Sequence, residues 1–174
     1  MTDPIMPCVG GLKLLARDDE DLSILSAHLQ DALAQVGDLV YAPKDRRFVA
    51  QFNRFCWYSG QTNGPWKRYV SVLHLDGVLG AQARNMRQDD RRAVVELLSV
   101  LFEPAPYPDA PQGAGDVIMV FSGGGEIRLR VECLEARLKD LVGPYKVYQR
   151  PSHMSAEDLD AREDETPEKA AASA

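Results

Sequence analysis

Cys56, His74 and Asp76 are the residues whose types best suit covalent chemistry. A thiol beside an imidazole can become a thiolate nucleophile, provided the two lie on neighbouring strands. The bland alternative is that Cys56 is a small buried hydrophobe and His74 makes a local hydrogen bond. A second motif, Ser122-Gly123-Gly124-Gly125, has too little around it for catalysis. A phosphate-binding loop needs Lys-Ser/Thr and a helix after its glycines, whereas Glu126 opens a strand pattern here. A nucleophile elbow needs glycine two positions before the serine, where Val120 stands. A hairpin turn is the simpler assignment. His28, His74 and His153 have no spacing to each other or to cysteine that predicts a metal site, and no cofactor motif is present. Asp18 to Asp21, Asp89-Asp90 and the pair Glu132 and Glu135 read as a helix cap, a charged turn and a solvated face.

The remaining chemistry is recognition by charge and stacking. The chain has 20 basic and 26 acidic residues, a net charge of −6, but the charge is unevenly distributed. Met1 to Val40 carries −5, Tyr41 to Arg92 carries +6, and the tail from Ser155 to Ala174 carries seven acids against two bases. Within the basic stretch, Arg46, Arg47, Arg54, Lys67 and Arg68 are interleaved with Phe48, Phe52, Phe55, Trp57, Trp66 and Tyr69. Single-strand nucleic-acid binders combine these types, since arginine neutralises phosphate and aromatic faces stack on bases. Alternation explains the same residues as core aromatics and solvated charges, with Phe48 and Phe52 at strand-core spacing. Arg46, Arg47, Arg54, Trp57, Trp66 and Arg68 are the candidate binding residues. Trp57, Tyr58 and Trp66, near strand ends, also suit a contact patch for a protein partner.

The elements that must position these residues follow from periodicity. Asp18-Asp19-Glu20-Asp21 caps a helix whose stripe is Leu22, Leu25, Leu29, Leu33 and Val36, ended by Gly37. Leu12 to Ala16 suits a short edge strand. Phe48 to Trp57 forms a strand with a bulge expected near Asn53-Arg54, and Tyr69 to Asp76 forms a second, separated by a turn at Asn63-Gly64-Pro65. Val78 to Met86 reads as a further strand, and Val94 to Phe102 as a buried strand, with helix as the competing assignment. Val117 to Phe121 and Glu126 to Val131 form a hairpin. Leu134, Leu138 and Leu141 predict a second helix over Cys133 to Leu141 that stops at Gly143-Pro144, followed by a short strand over Tyr145 to Tyr148.

The expected class is therefore α+β: an antiparallel, strongly bent sheet or partly closed barrel with an N-terminal helix and a C-terminal capping helix. In element order this is similar to pleckstrin-homology-like domains. The domain spans 12–153, after a leader over 1–11 and before an acidic, disordered tail over 154–174. No apolar run approaches the roughly 20 residues of a membrane span, and Met1 to Gly11 lacks the basic region of a signal peptide. Three dispersed cysteines, Cys8, Cys56 and Cys133, suggest free thiols and a cytoplasmic location.

Several strings are more specific than their periods. They are Glu20-Asp21-Leu22 through Ser26-Ala27-His28-Leu29-Gln30-Asp31-Ala32, Arg46-Arg47-Phe48, Asn53-Arg54-Phe55-Cys56-Trp57, Phe121-Ser122-Gly123-Gly124-Gly125-Glu126-Ile127-Arg128-Leu129, Val131-Glu132-Cys133-Leu134-Glu135-Ala136 and Pro151-Ser152-His153. In this order the chain resembles domain-of-unknown-function family 2948, a mostly alphaproteobacterial family, over about Leu12 to His153. The resemblance implies a small cytoplasmic protein with no activity, cofactor or catalytic residue to carry over. The expected function is a non-enzymatic binding or protein-interaction module with an unidentified partner. The alternatives are an RNA or single-stranded DNA binder through segment 44–92, or a small enzyme with a pocket near Cys56 and His74.

Overall fold

The computed structural model describes residues 11–57 and 66–148. The expectations for the leader before Gly11, the turn at Asn63-Gly64-Pro65 and the acidic tail lie outside the described residues. Strand β1 (Lys13–Ala16) leads into helix α1 (Asp19–Leu29), which Asp18 caps by accepting a 2.8 Å hydrogen bond from the Asp21 amide. Leu22, Leu25 and Leu29 form its buried stripe. The helix ends about two turns earlier than the stripe suggested. Asp31 takes a positive φ of 60°, which aspartate tolerates better than most residues, and its amide bonds to the Leu97 carbonyl. Leu33 thus belongs to strand β2 (Ala32–Gln35), and Gly37 lies in a 3-10 turn with its amide bonded to the Arg91 carbonyl.

All the other regular elements longer than a 3-10 turn are strands. They are β3 (Leu39–Ala42), β4 (Arg47–Phe55), β5 (Trp66–Asp76), β6 (Val78–Arg84), β7 (Val94–Pro104), β8 (Gly115–Phe121), β9 (Glu126–Val131) and β10 (Ala136–Val147). They pair antiparallel in one sheet of order β1-β10-β5-β4-β2-β7-β8-β9-β6, with β3 also on β4. Ser122 to Gly125 is the turn between β8 and β9, with Gly123 and Gly124 at φ 75° and 80°.

Gly77 determines how this sheet is arranged in space. It is the single residue between β5 and β6, yet those strands stand six places apart in the sheet order. Adjacent Cα atoms are about 3.8 Å apart, so the sheet must curl until its β6 edge starts beside β5 and β4. The Val78 amide accordingly donates to the Arg46 carbonyl at 2.8 Å. Gly77 itself sits at φ 68°, a backbone conformation that side chains rarely adopt. Inside the curl, the helix leucines pack with Phe48 and Phe52 of β4, Leu73 and Leu75 of β5, Leu97 of β7, Met119 of β8 and Leu129 of β9.

Three expectations need correction. The sheet is open, with β1 and β6 as its edges, and is not a partly closed barrel. Cys133 to Leu141, expected to form a C-terminal capping helix, instead leads into strand β10, which runs from Ala136 to Val147, so the only α-helix among the described residues is α1. The pleckstrin-homology-like analogy goes with that helix. The leucine spacing misled because Leu134 and Leu138, four apart, suit a strand of period two as well as a helix. The third residue of the buried row after Ala136 and Leu138 is the charged Asp140, while Leu141 is 53% exposed. Finally, β4 pairs with β5 without interruption from Arg47↔Asp76 to Phe55↔Arg68, so there is no bulge at Asn53-Arg54. The irregularities lie in β10 instead, around Leu141 and Gly143-Pro144.

Candidate functional site

The register of β4 and β5 sorts the candidate residues into three places. Arg46 and Arg47 lie at the Gly77 end, where each meets a carboxylate: Arg46 reaches Glu132 at 3.2 Å and Arg47 reaches Asp76 at 3.1 Å. Arg54 shares the parity of Phe48, Ala50 and Phe52, which turns it into the molecule. It is 2% exposed, so it is no surface residue. Trp57, Trp66 and Arg68 gather at the far end, on the opposite face of the sheet. From Trp66 to Asp76 along β5 is roughly 33 Å at 3.3 Å per residue.

Register also decides the thiol–imidazole pair. β4 and β5 are neighbours, but His74 pairs with Val49 while the Cys56 amide bonds to the Lys67 carbonyl. Seven residues of β5 separate the two levels, about 23 Å. Cys56 is in addition disulfide-bonded and buried. That removes its thiolate and with it the premise of three free thiols, although Cys133 is free and exposed. His74 instead sits 3.3 Å from Asp76, whose carboxylate also takes hydrogen bonds from Arg47 and Arg137. Burial alone would raise the Asp76 pKa; the bond from Arg47 and the charges around it hold it below the ordinary aspartate value.

Arg54 is the centre of a buried polar cluster. Its Nε and Nη2 donate to both oxygens of Asp140 at 2.8 and 2.6 Å, a two-point charge-assisted pair. The Ser71 hydroxyl donates to Asp140 Oδ1 at 2.6 Å, and the Leu12 amide donates to Oδ2 at 3.1 Å. The guanidinium also stacks 4.6 Å from the Tyr69 ring centre. Burial pushes the Asp140 pKa up, but the bonds from Arg54 and Ser71 outweigh it and hold the carboxyl below its ordinary range. His28, near the same charges, is lowered by burial first and by Arg54 second, and so favours the neutral imidazole. This cluster ties β1, β4, β5 and β10 together.

The third place is the exposed one. Phe55 on the outer face is buried beneath its neighbours: the Trp57 ring stands edge-on at 4.7 Å, the Trp66 ring is tilted at 6.5 Å, and the Arg68 guanidinium lies 5.4 Å over it. Trp57 Nε1 donates to the Gln30 carbonyl at 3.2 Å, and Arg68 Nη1 donates to the Asn53 carbonyl at 3.0 Å. Tyr145 of β10, opposite Arg68 in register, donates to the Asn53 side chain. Burial lowers the Arg68 pKa, and Tyr145, Glu96 and Asp31 pull it back up. Among the described residues no carboxylate stands within ion-pair distance of Arg68. Trp57, Trp66 and Arg68 are each half-buried, which leaves a rim of aromatic surface around a guanidinium.

A cavity of about 650 Å³ lies elsewhere, between the proline-rich loop after β7 and the outer face of β8 and β9. Its main cation, Arg128, meets Glu103 at 2.8 Å and Asp116 at 3.1 Å, and Arg130 meets Asp116 at 3.5 Å. These charges satisfy one another. Sequence reasoning missed both this cavity and the Arg54–Asp140 pair. The pair was findable only by treating 136–140 as a strand, since Ala136, Leu138 and Asp140 then share a face with Ser71 and Leu73 across the register. No group of metal-ligating side chains occurs among the described residues, and none of their helices is long and apolar enough to cross a membrane.

A curled, open antiparallel sheet around one helix, carrying an aromatic–guanidinium patch at one end, defines the class of this molecule. The chain belongs to the family "Protein of unknown function (DUF2948)", whose model matches residues 12–153. No curated protein and no solved structure matches it.

Proposed function

We propose that the protein is a non-enzymatic interaction module that holds a partner protein at the patch formed by Trp57, Trp66 and Arg68. The observation that carries this reading is the state of Arg68: a half-buried guanidinium stacked over Phe55, with no carboxylate in reach among the described residues. Tryptophan and arginine are the residue types that dominate the energetics of protein interfaces. Arg68 takes a carboxylate or carbonyl group of the partner, and the two indole faces exclude water around it. A nucleic-acid role has less support from the geometry. Phe48, Phe52, Phe55 and Tyr69 are each at most 2% exposed and offer no stacking face.

Affinity purification of the full chain from its own cells, with and without nuclease, tests the proposal. A stoichiometric protein partner is expected, insensitive to nuclease and lost from the Trp66→Ala, Arg68→Ala variant. Retention of that partner by the variant, or recovery of nucleic acid alone, would overturn it.

A further inference from the structure

The open sheet has a second feature, at the opposite end of β5 and independent of the patch above. Among the described residues strand β3 pairs with β4 alone, and β6 pairs with β9 alone, so each presents a free edge there. These edges face one another across a cleft of about 250 Å³. Its floor is apolar: Phe48 and Ile127 are 2% and 6% exposed, and Leu39, Tyr41, Ala81 and Met86 form the walls. The cleft narrows towards Gly77, where Val78 is tied to Arg46 by a backbone bond. At the same residue a side chain adds a second link: the Tyr41 hydroxyl donates to the Val78 carbonyl at 3.3 Å. Beyond this point β3 and β6 do not pair with each other, and the cleft lies between them. A row of unpaired strand-edge amides and carbonyls is a template for another strand.

The surroundings select the charge of such a strand. Met86 and Gln88 of the β6–β7 connection line the cleft, and the same connection carries Arg87, Arg91 and Arg92. None of these three is ion-paired among the described residues. Arg91 donates to the Gly37 carbonyl at 3.3 Å, and Arg87 and Arg92 are exposed. Of the two acids in this connection, Asp90 accepts from the Arg92 amide at 3.0 Å and serves its own turn, which leaves Asp89 exposed.

We infer that the cleft between β3 and β6 receives an extended, acidic segment of a partner protein, added as a strand between the two edges. Its backbone bonds to β3 and β6, alternate apolar side chains rest on Phe48 and Ile127, and its carboxylates meet Arg87, Arg91 and Arg92. Backbone bonds supply affinity in this mode, and side-chain pockets and charge supply selectivity.

Amide hydrogen exchange on the full chain tests this with a capped synthetic peptide of about eight residues alternating valine and glutamate. Expected are fast exchange at the outward amides of residues 40–42 and 79–84 in the free protein, and protection of both stretches on adding the peptide. The Arg87→Glu, Arg92→Glu variant, changed only at exposed side chains, is expected to bind about tenfold more weakly at low salt. A peptide N-methylated at alternate residues should not bind. Equal binding of a lysine-for-glutamate peptide, protection elsewhere or none, or unaltered affinity in the arginine variant would overturn the inference. So would protection of these amides in the free protein, which would mean that the acidic segment of this chain or a second copy already fills the cleft. The Trp66→Ala, Arg68→Ala variant should bind the peptide normally, which keeps this test separate from that of the interaction patch.

Discussion

Arg54 and Asp140 are 86 positions apart in sequence and form the most enclosed ion pair among the described residues, at 3% and 4% side-chain exposure. A buried pair costs desolvation on both sides, so its presence argues weakly for stability while its disruption argues strongly. Arg54→Ala should destabilise by about 3–5 kcal/mol, because it leaves the Asp140 carboxylate buried among Ser71 and the Leu12 amide without its cation. The joint change Arg54→Met, Asp140→Leu should cost far less. Urea unfolding of the three proteins makes the comparison. The same pair sets an acid limit. Because the folded-state pKa of Asp140 is depressed, its contribution is present above the unfolded aspartate value of about 3.9 and is lost as pH falls through the lower folded value. Between pH 5 and pH 3 the wild type should therefore lose more stability than Asp140→Asn, and parallel losses would exclude this origin.

Element by element, local signals were readable where side-chain chemistry and period agreed. The cap at Asp18, the alternation of Phe48, Ala50 and Phe52, and the glycine turn after Phe121 all stand in the structure as their residues imply. The signals failed where a charge occupied an inward position. Arg54 and Asp140 continue two buried rows, the first where a bulge was expected and the second where a helix was. Strand β10 offers a direct check. A helix over Cys133 to Leu141 would bury Leu138 and Leu141 alike, whereas β10 buries Leu138 to 1% and leaves Leu141 at 53%. Leu138→Ala should cost about 2–5 kcal/mol, and Leu141→Ala should stay within about 0.5 kcal/mol. Equal losses in thermal unfolding would contradict the strand. The candidate site was legible only as a list of residue types. Whether Arg54 and Arg68 face inward or outward depends on strand parity, and their separation from Arg46 and Arg47 depends on register, neither of which the spacing of charges reveals.

At the scale of the whole molecule, pairing of distant segments dominates. β10 lies between β1 and β5, and the run β4-β5-β6 passes from the middle of the sheet to its edge through Gly77. This order has a temporal side. Among the described residues β1 finds its partner only in β10, with Ala16 opposite Ala136. On a ribosome adding about 5–20 residues per second, the roughly 120 residues between them take between about 6 and 24 s to appear. During that interval β1 has no strand to join, and the Asp140 carboxylate that receives the Leu12 amide does not yet exist. Leu22, Leu25 and Leu29 must wait with part of their enclosure missing. The nascent chain therefore carries an adhesive amphipathic helix for most of its synthesis, and a chaperone that shields such surfaces would find its longest opportunity here.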